Sequence, residues 1–85
     1  MNYIAAFRTR SQTMRLFGLA KNNRIACKII NTPREVSQGC SISLCYDPDD
    51  HFLIESLYLR GGFDSLIGFF SMERTYGGGL SVRRI

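Results

Sequence analysis

Two segments of helical apolar spacing alternate with short strand-like segments, and that order leaves few folds open to so short a chain. Residues 3–8, YIAAFR, are β-branched, aromatic or small with no breaker, and read as a first strand. Thr9-Arg10-Ser11-Gln12 follows. Thr9 or Ser11 can cap a helix there, and Thr9 with Gln12 has the spacing of a capping box. Met14, Leu16, Phe17 and Ala20 then recur every three to four residues to about Asn22, which predicts an amphipathic helix. Asn22-Asn23 can take the left-handed conformation that ends it.

Residues 25–30, IACKII, read as a second strand with Cys27 and Ile29 on one face and Lys28 on a wet opposite face. Pro33 stops a continuing central strand, and Ser37-Gln38-Gly39 is turn chemistry. In residues 42–46, Ile42, Leu44 and Tyr46 alternate with Ser43 and Cys45, a third strand with a core face and a polar face. Asp47-Pro48-Asp49-Asp50 reads as a helix start, with Asp47 the cap and Pro48 at the first helical position. Phe52, Leu53, Ile54 and Leu57 are expected to form the buried face, and Gly61-Gly62 the stop. Residues 65–73, SLIGFFSME, predict a fourth strand with a bulge near Gly68, and Gly77-Gly78-Gly79 leads to a last short strand, LSVRR.

The resulting order is βαββαβ with a C-terminal extra strand. Right-handed crossovers then place both helices on one face of an antiparallel sheet, the four main strands lying 4-1-3-2. The expectation is therefore one α+β domain over residues 1–85, a ferredoxin-like βαββαβ sandwich. In that topology strands 1 and 2 run parallel. The loop from Asn31 to Cys40 should accordingly sit beside the N-terminus of the first helix.

A chain of 85 residues has room for one small core, so a disulfide, a metal or a partner subunit would help it. The three cysteines (Cys27, Cys40, Cys45) are odd in number and lack C-x-x-C spacing, and His51 is the only histidine. Neither a metal site nor a cofactor fingerprint is expected from them. A partner subunit, in a homodimer, is the more plausible help. No apolar run reaches the ~18–20 residues that span a bilayer, and Met1-Asn2-Tyr3-Ile4 lacks the charged start of a signal peptide. A cytoplasmic location with reduced thiols and no membrane partner is the expectation. The net charge of +4 comes mainly from arginines, Arg8, Arg10 and Arg15 early and Arg83 and Arg84 late. It favours anionic partners, or serves only solubility.

Cys40 is the best functional handle. A cysteine reacts as thiolate, and its pKa falls beside cations or at a helix N-terminus. Cys40 ends a loop that carries Arg34, and the expected topology brings the first helix, with Arg8 and Arg10, to the same corner. These conditions suit a nucleophile or a persulfide carrier; the alternative is a small, inert residue at a strand start. Cys27 alternates with core positions and reads as structural. Cys45, well along the third strand, is too distant from Cys40 to bridge without movement.

Thr32-Pro33-Arg34-Glu35-Val36-Ser37-Gln38-Gly39-Cys40-Ser41-Ile42-Ser43-Leu44 resembles the signature of the selenium/sulfur carrier protein-like family of small bacterial proteins. The opening YIAAFRTRSQTMR resembles that family's first strand and helix start. The likeness covers roughly residues 3–60. It implies a cysteine-based carrier of reduced sulfur or selenium, with Cys40 in the cysteine position and Arg34 and Ser37 matching neighbouring motif residues. It further implies a cysteine desulfurase-type donor and an acceptor protein. Two departures stand out: Ser41 occupies a position commonly glycine in the family, and TYGGGLSVRRI extends beyond the short family ending.

Other signals read as structural. Gly77-Gly78-Gly79 precedes a strand rather than a helix, so it is a hairpin loop and not a phosphate cradle. His51 is expected to face solvent, and Asp47, Asp49 and Asp50 lack the spacing of a calcium loop. Tyr3, Tyr46, Phe69, Phe70 and Tyr76 in a basic chain raise an RNA platform as a rival, weakened by the absence of an RNP-like string. A regulatory or assembly module pairing through edge strands is the stronger rival. A conventional enzyme is not expected, since no acid–base pair or triad is present.

Overall fold

Breakers and periodicity divide the chain nearly where the sequence suggests. The computed structural model describes residues 1–39 and 41–85. Its elements are β1 (Tyr3–Phe7), α1 (Arg10–Asn22), β2 (Cys27–Asn31), β3 (Ile42–Tyr46), α2 (His51–Arg60), β4 (Leu66–Arg74) and β5 (Leu80–Arg84). A single 3-10 turn, Pro48–Asp50, leads into α2. The sheet is five-stranded and antiparallel between all neighbours, in the order β2-β3-β1-β4-β5. Read from the β4 side, the first four strands run β4-β1-β3-β2, and β5 lies outside β4. Because β1 and β2 are both antiparallel to β3, they run the same way. Phe7 and Asn31 therefore reach the same end of the sheet.

The main core lies between the sheet and the two helices. Alternation along β1 and β3 turns Ala5, Phe7, Leu44 and Tyr46 toward Leu16 and Ala20 of α1 and Ile54 of α2, all fully buried. Each large side chain removed from water there contributes roughly 1.5–3 kcal/mol before entropy is counted. The helix faces differ from expectation. Met14 is exposed, and so are Phe52 and Leu53, while Ile54 is buried and Leu57 and Tyr58 pack partly against the core. The reason is rotational: α2 begins one turn later than its acids suggest, so the residues facing the sheet are those in register with Ile54.

The opposite face of the sheet is not wet, and the polar face expected for the third strand is absent. Ile4, Ala6, Cys45 and Phe70 form a second buried cluster, joined by Ile30, Val36, Ile67, Met72 and Val82. Cys45 is 1% exposed and Ser43 fully buried, because neighbouring strands cover these small side chains from both flanks. Lys28 does reach solvent. On the outer side Arg84 lays its guanidinium over Phe70 and donates to the Ile67 carbonyl at 3.1 Å. The bulge expected near Gly68 is present. Ala6 faces Gly68 and Phe7 faces Leu66, which makes Ile67 the extra residue.

The caps correct the sequence reading in detail. Thr9 is the N-cap of α1 but makes no side-chain cap bond, and its hydroxyl pairs with that of Ser65 at 3.1 Å. Gln12 does not close a capping box. Its Oε1 accepts from the Ser65 amide (3.0 Å), the Asp64 amide (3.1 Å) and the Ser65 hydroxyl (2.9 Å), and its Nε2 donates to Asp64. Two backbone donors of the α2–β4 loop compete for this side chain and win it. Asp47 makes no cap bond either; its carboxylate pairs with the Met1 amine at 3.1 Å. The left-handed residue after α1 is Arg24 (φ 60°), not Asn22 or Asn23. After α2 it is Gly62 (φ 69°), as its lack of a Cβ allows.

Candidate functional site

Between β2 and β3, backbone hydrogen bonds draw residues 32–39 and Ser41 into a closed loop. The Thr32 amide donates to the Ser41 carbonyl at 2.9 Å, and the amides of Val36 and Ser37 donate to Pro33 at 3.0 and 3.1 Å. Beneath these bonds the Thr32 and Ser43 hydroxyls meet at 2.7 Å, out of water. Thr13 of α1, fully buried, donates to the Ile42 carbonyl at 3.2 Å. Strand pairing, a hydroxyl pair and a helix-to-strand bond thus hold the loop's base rigidly against α1. Gly39, at φ +150°, takes a backbone conformation that side chains rarely permit, and the Ser41 amide donates to its carbonyl at 3.0 Å.

The loop meets the start of α1, as the parallel run of β1 and β2 requires. Arg10, Asn31, Thr32, Arg34, Gly39 and Ser41 line a cleft of about 300 Å³ between them. Arg34 also borders a second hollow of about 320 Å³ with Gln38 and Gly39. Arg10 and Arg34 are exposed, and Ser37 is half-buried in the turn. Among the described residues the one ion pair is Met1 with Asp47, so neither arginine has a carboxylate within contact. The first turn of α1 holds no acid. Its positive dipole end and Arg10 therefore add their fields on the same side. The Ser41 hydroxyl oxygen is buried without a hydrogen-bond partner among the described residues. Cys40 lies outside the described residues, and so do the expectations about its surroundings and its separation from Cys45.

The other two cysteines sit on opposite faces of the sheet, Cys27 under the helices and Cys45 in the second cluster. Burial pushes both thiols above their ordinary value, outweighing Lys21 near Cys27 and Lys28 and the N-terminus near Cys45. The Cys45 thiol donates to the Met1 carbonyl at 3.4 Å. Both are neutral and poorly nucleophilic. Cys45 is in this respect like Cys27, although its alternation had put it on the polar face of the third strand.

His51 does not face solvent. It is half-buried, parallel to the Tyr46 ring at 6.0 Å between centroids and edge-on to Tyr3 and Phe69. Its Nδ1 lies 2.8 Å from the Tyr46 hydroxyl. Burial, reinforced by Glu55, raises the Tyr46 pKa well above the phenol's ordinary value, so the hydroxyl keeps its proton and shares one hydrogen bond with Nδ1. Tyr3, Tyr46 and Phe69 thus belong to the helix side of the sheet, and Tyr76 sits fully exposed at the β4–β5 turn. Phe70 alone of these aromatics faces the other side, under Arg84. A row of stacking rings across an open sheet is not what these five residues form.

Sequence reasoning pointed to Arg34, Ser37 and the nearness of Arg10, but passed over Thr13, Thr32 and the hydroxyl of Ser43. A threonine inside an apolar helix face, and a Thr–Ser pair bracketing a loop, were the available signals. Among the described residues no three His, Cys, Asp or Glu side chains gather to hold a metal. No described helix is long and apolar enough to cross a membrane.

No curated protein and no solved structure matches the chain. A family profile does, over residues 2–64, which takes in β1 through α2 and the whole of the 32–41 loop while leaving β4 and β5 outside. With that span the chain belongs to the family described as "Putative Se/S carrier protein-like".

Proposed function

We propose that the chain carries reduced sulfur or selenium on Cys40, within a domain of the ferredoxin-like βαββαβ kind extended by β5. The observation that carries this reading is the coincidence of two facts. The family match spans position 40, and the described residues on either side of it in sequence, Gly39 and Ser41, line a cleft with Arg10 and Arg34. Arg34 supplies positive charge on the loop itself, and the Ser37 amide bond to Pro33 fixes the turn ahead of Gly39. Cationic surroundings stabilise a thiolate and, equally, the terminal anion of a persulfide.

The transfer balances without an oxidant. The Cys40 thiolate attacks the terminal sulfur of a donor persulfide, of the kind a cysteine desulfurase forms. The new sulfur–sulfur bond forms as the donor's own bond breaks, and the donor cysteine leaves as thiolate. Delivery to an acceptor repeats the exchange, and selenium follows the same course. The buried, protonated Cys27 and Cys45 stay out of this chemistry. The reducing cytoplasm suits it.

The test is incubation of the protein with a persulfide-loaded donor, followed by peptide mass spectrometry. One added sulfur atom on the Cys40 peptide, absent from Cys40→Ser and labile to reductant, is expected. Loading that is equal on the Cys27 or Cys45 peptides, or none at all, would overturn the reading. A second reading, an assembly module or homodimer, is favoured by β5, which has a described strand on one side only and exposes Leu80. Sedimentation of the full chain against a variant with Pro at Val82 separates the two.

A further inference from the structure

We infer that the cleft between the start of α1 and the 32–41 loop binds a small tetrahedral oxyanion, a free phosphate-sized ion or the phosphoryl group of a small ester. Three observations converge on it. Arg10 and Arg34 line the cleft from opposite elements, one helical and one on the loop, and neither is neutralised by a carboxylate among the described residues. Guanidinium groups approaching from two directions are the usual partners of tetrahedral oxyanions, which take several donors at once.

The helix start points the same way. Arg10 is the first residue of a 13-residue helix whose first turn has no acid and whose N-cap side chain bonds elsewhere. A cation at that end is unfavourable against the dipole. Thr9 and Gln12, the two side chains suited to satisfy the first-turn amides, are both engaged by Ser65 and Asp64. The amides thus lack a side-chain acceptor from those residues, and an anion in the cleft would supply both the acceptor and the missing negative charge.

Thr32, Asn31 and Ser41 complete the rim of the cleft. Finally, the base of the cleft is rigid, because Thr13 and the Thr32–Ser43 pair fix α1 and the loop to β3. A preformed site of this kind loses little entropy on binding.

None of these residues is Cys40, and the site stands whether or not the thiol carries sulfur. The experiment uses the full chain in a Cys40→Ser background, which keeps its outcome separate from that of the carrier reading. Inorganic phosphate is titrated at constant ionic strength, and backbone amide shifts are followed by NMR; phenyl phosphate is titrated in parallel. Saturable shifts at Arg10, Ser11, Gln12, Thr32 and Ser41 are expected. Arg10→Gln and Arg34→Gln should each weaken binding about tenfold or more, as loss of a charged hydrogen bond does. Arg83→Gln, remote on β5, should bind as the parent does. Tighter binding of phenyl phosphate would assign the cleft to a phosphate ester, and of inorganic phosphate to the free ion. Shifts that never saturate, or an equal loss in Arg83→Gln, would refute the site by showing only general attraction to a basic surface.

Discussion

Truncating Gln12 to alanine removes a side chain with four hydrogen bonds and no part in the main core. Its Oε1 accepts from two backbone amides and the Ser65 hydroxyl, and its Nε2 donates to Asp64. Ser65 is 6% exposed, so water cannot readily replace the lost acceptor at its amide, whereas Asp64 is exposed and can be resolvated. Counting only the two bonds at Ser65 at roughly 1 kcal/mol each gives a loss of about 2 kcal/mol. In a domain of this size that lowers Tm by roughly 8–16 °C. Urea unfolding followed by circular dichroism, with an unchanged m-value, measures it directly. Gln12→Glu is the informative companion. It keeps an acceptor for both amides but sets a carboxylate against Asp64, so its deficit should shrink as pH falls through the carboxylate range. A Gln12→Ala variant within about 0.5 kcal/mol of the parent would refute the assignment of Gln12 as the tie between α1 and the start of β4.

Other outcomes follow from the same geometry. Tyr46, Cys27 and Cys45 are all held protonated by burial, their pKa values raised above 10.0 for the phenol and 9.0 for the thiols. The unfolded chain loses these protons first, so stability is intact below about pH 9 and falls as pH rises, by about 1.4 kcal/mol per pH unit for each group. Tyr46→Phe should remove the tyrosine part of that fall above about pH 10 and cost about 1 kcal/mol at neutral pH through the lost bond to His51; denaturant melts at a series of pH values check both. Gly39→Ala meets no neighbouring atom but forces a side chain into φ +150°, a strain of roughly 1–3 kcal/mol. Amide shifts should then change through residues 32–41 far more than in the sheet; a spectrum unaltered there would count against the strain. Alkylation of Cys27 and Cys45 should require unfolding and be slowed on the order of a thousandfold relative to the denatured chain. Peptide mass spectrometry in native buffer and in urea tests this, and fast native labelling of either would contradict their burial.

The patterning and breakers of residues 3–84 were enough to order the strands and helices, because each element carries its own period between turn residues. It also placed the Asn31–Cys40 loop beside α1, since the parallel run of the first two strands follows from the element order alone. Arg34 and Arg10 could be named as neighbours on that ground. What the sequence could not assign was the partner of each polar side chain. Thr9, Gln12 and Asp47 all occupy cap positions by local grammar, yet residues 64–65 and the Met1 amine, far off in sequence, hold them. Local rules rank only local competitors. The second face of the sheet was misread for a related reason. Ser43 and Cys45 alternate with apolar residues as a solvent face would, but small side chains on a central strand are covered by whatever lies on the flanking strands. Element order and the position of the loop were therefore determined by the sequence itself. The burial of Cys45 and His51, the rotation of α2 and the partners of the would-be capping side chains were decided only when tertiary packing brought distant residues together.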